Sequence, residues 1–209
     1  VNEGPKGKSI MANKKERDHR LMAKVAENDL QAFDELINLY KNKLLTMLVR
    51  MVGTSEEAED LLQETYIRVW EHRRNFDDRY CFSTWIYTIA MNLGKNELRK
   101  RKKVRFLSMF DREGKAIEVA DVKAKHSGAL GVLIERAVQK LPARYREAFE
   151  LRDLQQLSYE EIGDVLRVPV GTVKSRVNRA RNLLKDELKP RVERYHGLSK
   201  SPLLPSSVF

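Results

Sequence analysis

From Phe33 onward the apolar residues Phe33, Leu36, Ile37, Tyr40, Leu44, Met47, Leu48 and Met51 return every three or four positions. That spacing puts them on one face of a single long α-helix. Gly53 stands where such a helix needs a left-handed closing residue. A second helical pattern begins near Ser55, with Glu56 and Glu57 in its first turn, where the positive helix end favours them, and runs to about His72. A third starts near Ser83 and continues through Arg99 into Lys100-Arg-Lys-Lys103. Leu21, Met22 and Val25 open a short leading helix. No stretch alternates apolar and polar residues long enough to build a sheet. The predicted fold is therefore all-α, with residues 20–103 forming a three- or four-helix bundle behind an N-terminal extension over 1–19.

The periodicity fades after Lys103, and residues 104–129 read as a flexible linker. Order returns with Leu133, Ile134, Ala137, Val138 and Leu141, and Pro142 suits the first turn of the helix that carries Phe149. Residues 130–190 thus form a second small helical domain. Residues 191–209 read as a tail, disordered from Pro202.

Charge narrows the possible partners. With 40 lysines and arginines against 30 aspartates and glutamates, the chain carries a formal charge of +10. Cations set against phosphates release condensed counterions, so nucleic acid is the first candidate partner and a membrane surface the second. Cys81 is the only cysteine, which excludes an intramolecular disulfide and a thiolate zinc cluster. His19, His72, His126 and His196 are scattered without ligand spacing, so no metal and no cofactor is expected. No apolar run approaches the roughly 18 to 20 residues of a bilayer span, and the first residues lack a signal-peptide core. A cytoplasmic protein without membrane insertion is the expectation.

The C-terminal domain contains a recognisable local device. Ser158-Tyr-Glu-Glu161 has the form of a capping box, with Leu157 placed to staple onto Ile162. The short helix it opens carries Ile162, Val165 and Leu166, stops at Arg167-Val-Pro169, and is followed by a second helix from about Val170 to Leu188. Two helices joined by so short a turn are a helix-turn-helix. On the second helix Val173, Val177, Ala180 and Leu184 form a packing stripe. Thr172, Ser175, Arg176 and Arg179 form another, flanked by Lys174, Asn178 and Arg181. Hydroxyl and guanidinium groups near a helix N-terminus suit base edges and phosphates in a major groove. A solvated basic face is the plainer alternative.

Two faces of the N-terminal bundle also invite partners. On its second helix Ala58, Leu61, Leu62, Thr65 and Val69 turn inward. Asp60, Gln63, Glu64, Ile67 and Glu71 remain outside, with Trp70 on the flank. An isoleucine among carboxylates suits a basic protein partner, and the carboxylates repel DNA; a charged solvated face is the equal alternative. On the third helix Ile86, Ile89, Ala90 and Leu93 form the core stripe, and Thr84, Thr88, Met91, Asn92, Lys95 and Arg99 are expected outside. Phe76, Tyr80, Phe82, Trp85 and Tyr87 crowd its start. Rings beside cations can hold unstacked bases, although each ring can equally be core.

Three segments carry a resemblance. Ala58-Glu-Asp-Leu-Leu-Gln-Glu-Thr-Tyr-Ile-Arg-Val-Trp70, Phe82-Ser-Thr-Trp-Ile-Tyr-Thr-Ile-Ala-Met-Asn92, and Leu157-Ser-Tyr-Glu-Glu-Ile162 with Val168-Pro-Val-Gly-Thr-Val-Lys-Ser-Arg176 together resemble the sigma-70 family of RNA polymerase sigma factors, extracytoplasmic-function group. The resemblance spans about residues 20–103 and 130–190. It implies a region 2 helix bundle and a region 4 helix-turn-helix, and a non-enzymatic specificity subunit that binds core RNA polymerase and directs promoter-specific initiation under an anti-sigma factor. It further implies that Asp60, Gln63, Glu64, Ile67 and Trp70 face the β′ clamp helices, with region 4 near the β flap. Phe82, Trp85, Tyr87, Asn92, Lys95, Asn96 and Arg99 would recognise and melt the −10 element. Thr172, Lys174, Ser175, Arg176, Asn178 and Arg179 would read the −35 element, and the linker would thread the polymerase cleft.

The chain departs from the family pattern in places. Arg167 stands where glycine is usual, and a left-handed conformation there would cost on the order of 1 kcal/mol. Thr88 and Met91 replace common arginines, and Asn178 occupies a variable position, so the promoter preference stays open. Rival classes are a helix-turn-helix regulator that binds duplex DNA alone, an adaptor with a vestigial DNA face, and a nuclease. No phosphate loop or clustered catalytic residues support an enzyme.

Overall fold

The computed structural model describes residues 5–109 and 129–196, with side chains over 13–104 and 131–189. Residues 110–128 of the predicted linker and the tail beyond His196 lie outside the described residues. Among the described residues there are helices and turns and no strand. The chain divides into two compact units between Val122 and Lys123.

The first unit contains α1 (Pro5–Ala26), α2 (Leu30–Val52), α3 (Ser55–Glu71), a single 3-10 turn (Arg73–Asn75) and α4 (Phe82–Met109). The long period seen from Phe33 is α2, which starts earlier because the Asp29 carboxylate accepts from the N–H groups of Gln31 at 2.9 Å and Ala32 at 3.0 Å. It ends where predicted: Gly53 adopts φ 93° and its N–H donates to the Val49 carbonyl at 2.8 Å. Leu36, Tyr40, Leu44, Met47 and Leu48 of α2 meet Leu21, Met22 and Val25 of α1, Ala58, Leu62 and Val69 of α3, and Phe82, Ile86, Ala90 and Leu93 of α4 in one core.

Two boundaries move. The leading helix is not short, and part of the expected extension belongs to the bundle: Asp18 is 2% exposed and accepts a short hydrogen bond from the buried Tyr40 hydroxyl, with Arg17 closing on it at 2.8 Å. A buried carboxylate persists only when its lone pairs are matched, as they are here. At the other end α4 continues through Val104–Met109, the expected start of the linker.

Burial, and then the neighbouring Asp18 carboxylate, push the Tyr40 hydroxyl pKa well above its ordinary value. Burial alone pushes Tyr66 up to about 12. The unfolded chain releases a tyrosine proton near pH 10 while folded Tyr40 retains it, so stability that is full below pH 10 falls as the pH rises. Urea titrations between about pH 10 and pH 12 should show a decline of about 1 kcal/mol per pH unit from this group. Tyr40→Phe should flatten that slope; an unchanged slope would contradict the assignment.

The second unit contains α5 (Ala129–Lys140), α6 (Ala143–Phe149) running into a wide π-helical turn (Glu150–Leu154), α7 (Tyr159–Leu166) and α8 (Val170–His196). Pro142 sits just before α6 rather than within its first turn, and its carbonyl accepts from Tyr145 at 2.9 Å and Arg146 at 3.1 Å. Ala137, Val138 and Leu141 of α5 pack against Ala180, Leu184 and Leu188 of α8. Buried Glu150 is satisfied in part by the Gln155 amide at 3.0 Å. Helix α8 runs past the expected end at Leu188 and through Pro190.

Candidate functional site

Helix α3 offers the acidic face that its sequence predicts. Ala58, Leu62, Thr65 and Val69 are buried, and Leu61 only partly so. The Thr65 hydroxyl is satisfied by donating to the Leu61 carbonyl at 2.7 Å. Asp60 and Gln63 are exposed, and Ile67 stands out at 51%. Glu64 accepts from Arg68 Nε at 2.7 Å, one turn on. Trp70 is fixed rather than loose: its ring packs on Phe33 at 5.1 Å, and the Arg73 guanidinium covers it at 4.3 Å. A rigid aromatic at the edge of an acidic, apolar-centred face is suited to protein contact.

Helix α4 corrects the predicted base-contacting set. Phe82 and Tyr87 are 0% and 1% exposed, so both rings belong to the core. Both lie edge-on to Tyr40, at 5.3 and 6.3 Å. Thr84 and Met91, expected outside, are buried as well. Helix α4 packs against α1, α2 and α3 at once, so more than one stripe is enclosed. Trp85 stays half-exposed, against Phe76 at 5.3 Å and Phe82 at 6.0 Å. Asn92, Asn96 and Arg99 are exposed and Lys95 half-exposed, and Arg99 donates to Asn96 at 2.8 Å. Lys102 and Lys103 prolong this basic surface.

Arg101, within the expected basic run, serves the fold instead. Its Nη1 donates to the Val52 carbonyl at 2.7 Å, closing the end of α2, and its Nη2 lies 2.5 Å from Glu57. The loop before α4 carries half-exposed Tyr80. Asp77 accepts from the Arg79 side chain and N–H, and those bonds hold its carboxyl below the usual carboxylate range.

In the second unit both halves of the capping box are present: Ser158 N donates to Glu161 at 2.8 Å and Glu161 N to Ser158 Oγ at 3.1 Å. The α7–α8 turn is tight enough that a Cβ at Gly163 would lie 3.0 Å from the Val168 carbonyl oxygen. Arg167 adopts φ 54° and ψ 50°, the left-handed conformation expected at cost. Because its side chain is exposed, Arg167→Gly should raise stability by about 1 kcal/mol. A loss of stability in denaturant titration would show that the guanidinium does more than occupy the turn.

Val173, Val177, Ala180 and Leu184 are buried as predicted. Lys174, Ser175, Asn178 and Arg179 are exposed, and Thr172 and Arg176 partly exposed. Ser175 Oγ donates to the Thr172 carbonyl at 2.9 Å, and Lys174 lies 5.7 Å from the Tyr159 ring. Arg181, a flanking candidate, is committed to Asp153 at 2.6 Å, and that bond raises its already high pKa. Sequence offered no sign of this, because Asp153 lies 28 residues away. Among the described residues no cluster could hold a metal ion, and no helix is long and apolar enough to cross a membrane.

Residues 36–104 match the family model of sigma-70 region 2, and residues 131–184 that of sigma-70 region 4. The chain is 36% identical over 174 residues to the ECF RNA polymerase sigma factor SigW of Bacillus subtilis, covering 79% of this chain and 93% of that protein. It is 35% identical over 185 residues to the RNA polymerase sigma-H factor of Pseudomonas aeruginosa, covering 84% and 95%. Among solved structures it is similar to the sigma factor RpoE from the co-crystal with the anti-sigma factor NepR from Bartonella quintana, with a TM-score of 0.64, 27% identity and coverage of 75% and 96%. A likeness in fold extends to CnrH in complex with the cytosolic domain of CnrY, with a TM-score of 0.63, 22% identity and coverage of 83% and 98%.

Proposed function

Since the chain belongs to the extracytoplasmic-function group of the sigma-70 family, we propose that it binds core RNA polymerase through α3 and directs it to promoters through α4 and α8. Asp60, Gln63, Glu64 and Ile67 form the polymerase-facing surface, bounded by Trp70. Trp85, Asn92, Lys95, Asn96 and Arg99 engage the −10 element, with Phe82 and Tyr87 supporting them from within. Thr172, Lys174, Ser175, Arg176, Asn178 and Arg179 read the −35 element. The observation that carries this reading is the contrast within one unit: an acidic face centred on an exposed isoleucine on α3, and a basic face on α4. A simple duplex-binding regulator has no use for the first.

The polymerase performs the chemistry, and this chain contributes binding energy. Unstacking bases costs a few kcal/mol per step, which ring stacking and phosphate contacts along α4 offset. Its place of action is the cytoplasm. An anti-sigma factor, of the kind that accompanies RpoE in the co-crystal, restrains it. The test is transcription by a bacterial core polymerase from a pool of randomised upstream sequences, with sequencing of transcript 5′ ends. Addition of the chain should enrich templates sharing two spaced elements. Duplex binding without polymerase, combined with no enrichment, would favour the regulator.

A further inference from the structure

The segment between α3 and α4 hangs on residues that precede α2. His19 Nε2 lies 2.9 Å from the Tyr80 carbonyl oxygen, 61 residues away in sequence. Lys15 Nζ donates to the Arg79 carbonyl at 3.3 Å. Arg73 Nε donates to Asn28 Oδ1 at 3.2 Å, in the turn that follows α1. The His19 ring also meets Phe76 edge-on at 5.7 Å. Phe76 is anchored from the α4 side by Phe82 and Trp85, and the Asp77–Arg79 bonds shape the tip locally. The carbonyls of Arg79 and Tyr80 are thus reached from α1. Neither Lys15, His19 nor Asn28 falls within the matched span of region 2, which begins at residue 36.

We infer that α1 is the positioning element of this loop and that His19 is its main positioning residue. To bond a carbonyl, His19 must carry its proton on Nε2. That bond fixes the backbone of Tyr80 and presents the Tyr80 ring, 51% exposed, as a surface on which an unstacked base can settle. A loop ordered beforehand spends none of the stacking energy on its own ordering when the strands part. The inference rests on the reading of α4 and its loop as the promoter-opening surface, and it adds to that surface a helix that the region 2 match leaves out.

The test uses holoenzyme assembled from the full chain and core polymerase, on a promoter taken from the randomised pool. Strand opening is followed through a 2-aminopurine base placed in the −10 element. His19→Ala should open the duplex about fivefold more slowly, the equivalent of one lost hydrogen bond. Core affinity and thermal midpoint should stay at wild-type values. At saturating holoenzyme, a template mismatched across the −10 element, and so already open, should initiate at the wild-type rate. His19→Gln, which returns an N–H donor near the Nε2 position, should recover most of the opening rate. Wild-type opening by His19→Ala, an equal deficit on the mismatched template, or no recovery by His19→Gln would each overturn the inference. Failure of the wild-type holoenzyme to select any promoter would instead overturn the sigma reading, and this inference with it.

Discussion

Ile67→Arg should weaken binding to core polymerase about a hundredfold or more and leave the fold intact. Ile67 is half-exposed at the centre of the α3 face, outside the stripe formed by Ala58, Leu62, Thr65 and Val69. Exchanging it therefore removes nothing from the core. An apolar anchor of this kind carries about 2 kcal/mol or more when an interface closes over it. An arginine there also sets a like charge against the basic partner that Asp60 and Glu64 imply, and such a juxtaposition costs several kcal/mol. Anisotropy titration of a labelled chain with core polymerase measures the loss, and circular dichroism checks the fold. Wild-type affinity in the variant would remove α3 from the polymerase interface. Glu64→Ala should have a smaller effect in the same direction, since it also releases Arg68 from the ion pair it makes with Glu64. Both effects should shrink as salt screens the surface.

Arg176→Ala with Arg179→Ala should abolish promoter selection that depends on the −35 element. Each guanidinium that grips a base edge in two places is worth about 1 to 3 kcal/mol, so together their loss reduces binding by about thirtyfold or more. Neither arginine is held in an ion pair among the described residues, so both remain available to DNA. Arg181→Ala is the useful contrast. Its partner is Asp153, which follows α6, so its loss should lower the stability of the second unit and leave base preference unchanged. Binding to matched and scrambled −35 duplexes, repeated at two salt concentrations, separates the cases. A uniform loss on both duplexes with a shallower salt dependence would reassign the pair to phosphates.

Much of this protein was legible from spacing alone. The period of α2, the Gly53 cap, the Ser158–Glu161 box and the buried stripe of α8 are local features, set by residues within a turn or two of one another. The aromatic cluster shows where that legibility stopped. Phe82, Trp85 and Tyr87 look alike as a group of rings at a helix start, yet two are core and one is half-exposed. The two buried rings meet Tyr40, more than 40 residues earlier in the chain.

By itself, then, the sequence determined the number and order of most helices, the Gly53 and Ser158–Glu161 caps, the family and the two charged faces, because periodicity and capping act over a few residues. The tertiary structure decided which candidates are available. Periodicity gives the direction of a buried face but not its width, and the three helices around α4 widened that face to take in Thr84, Tyr87 and Met91. Contacts across long stretches of chain also decided that Arg101 and Arg181 serve the fold. In the same way they draw Asp18 and His19, which local patterning leaves in the N-terminal extension, into the bundle and onto the loop before α4.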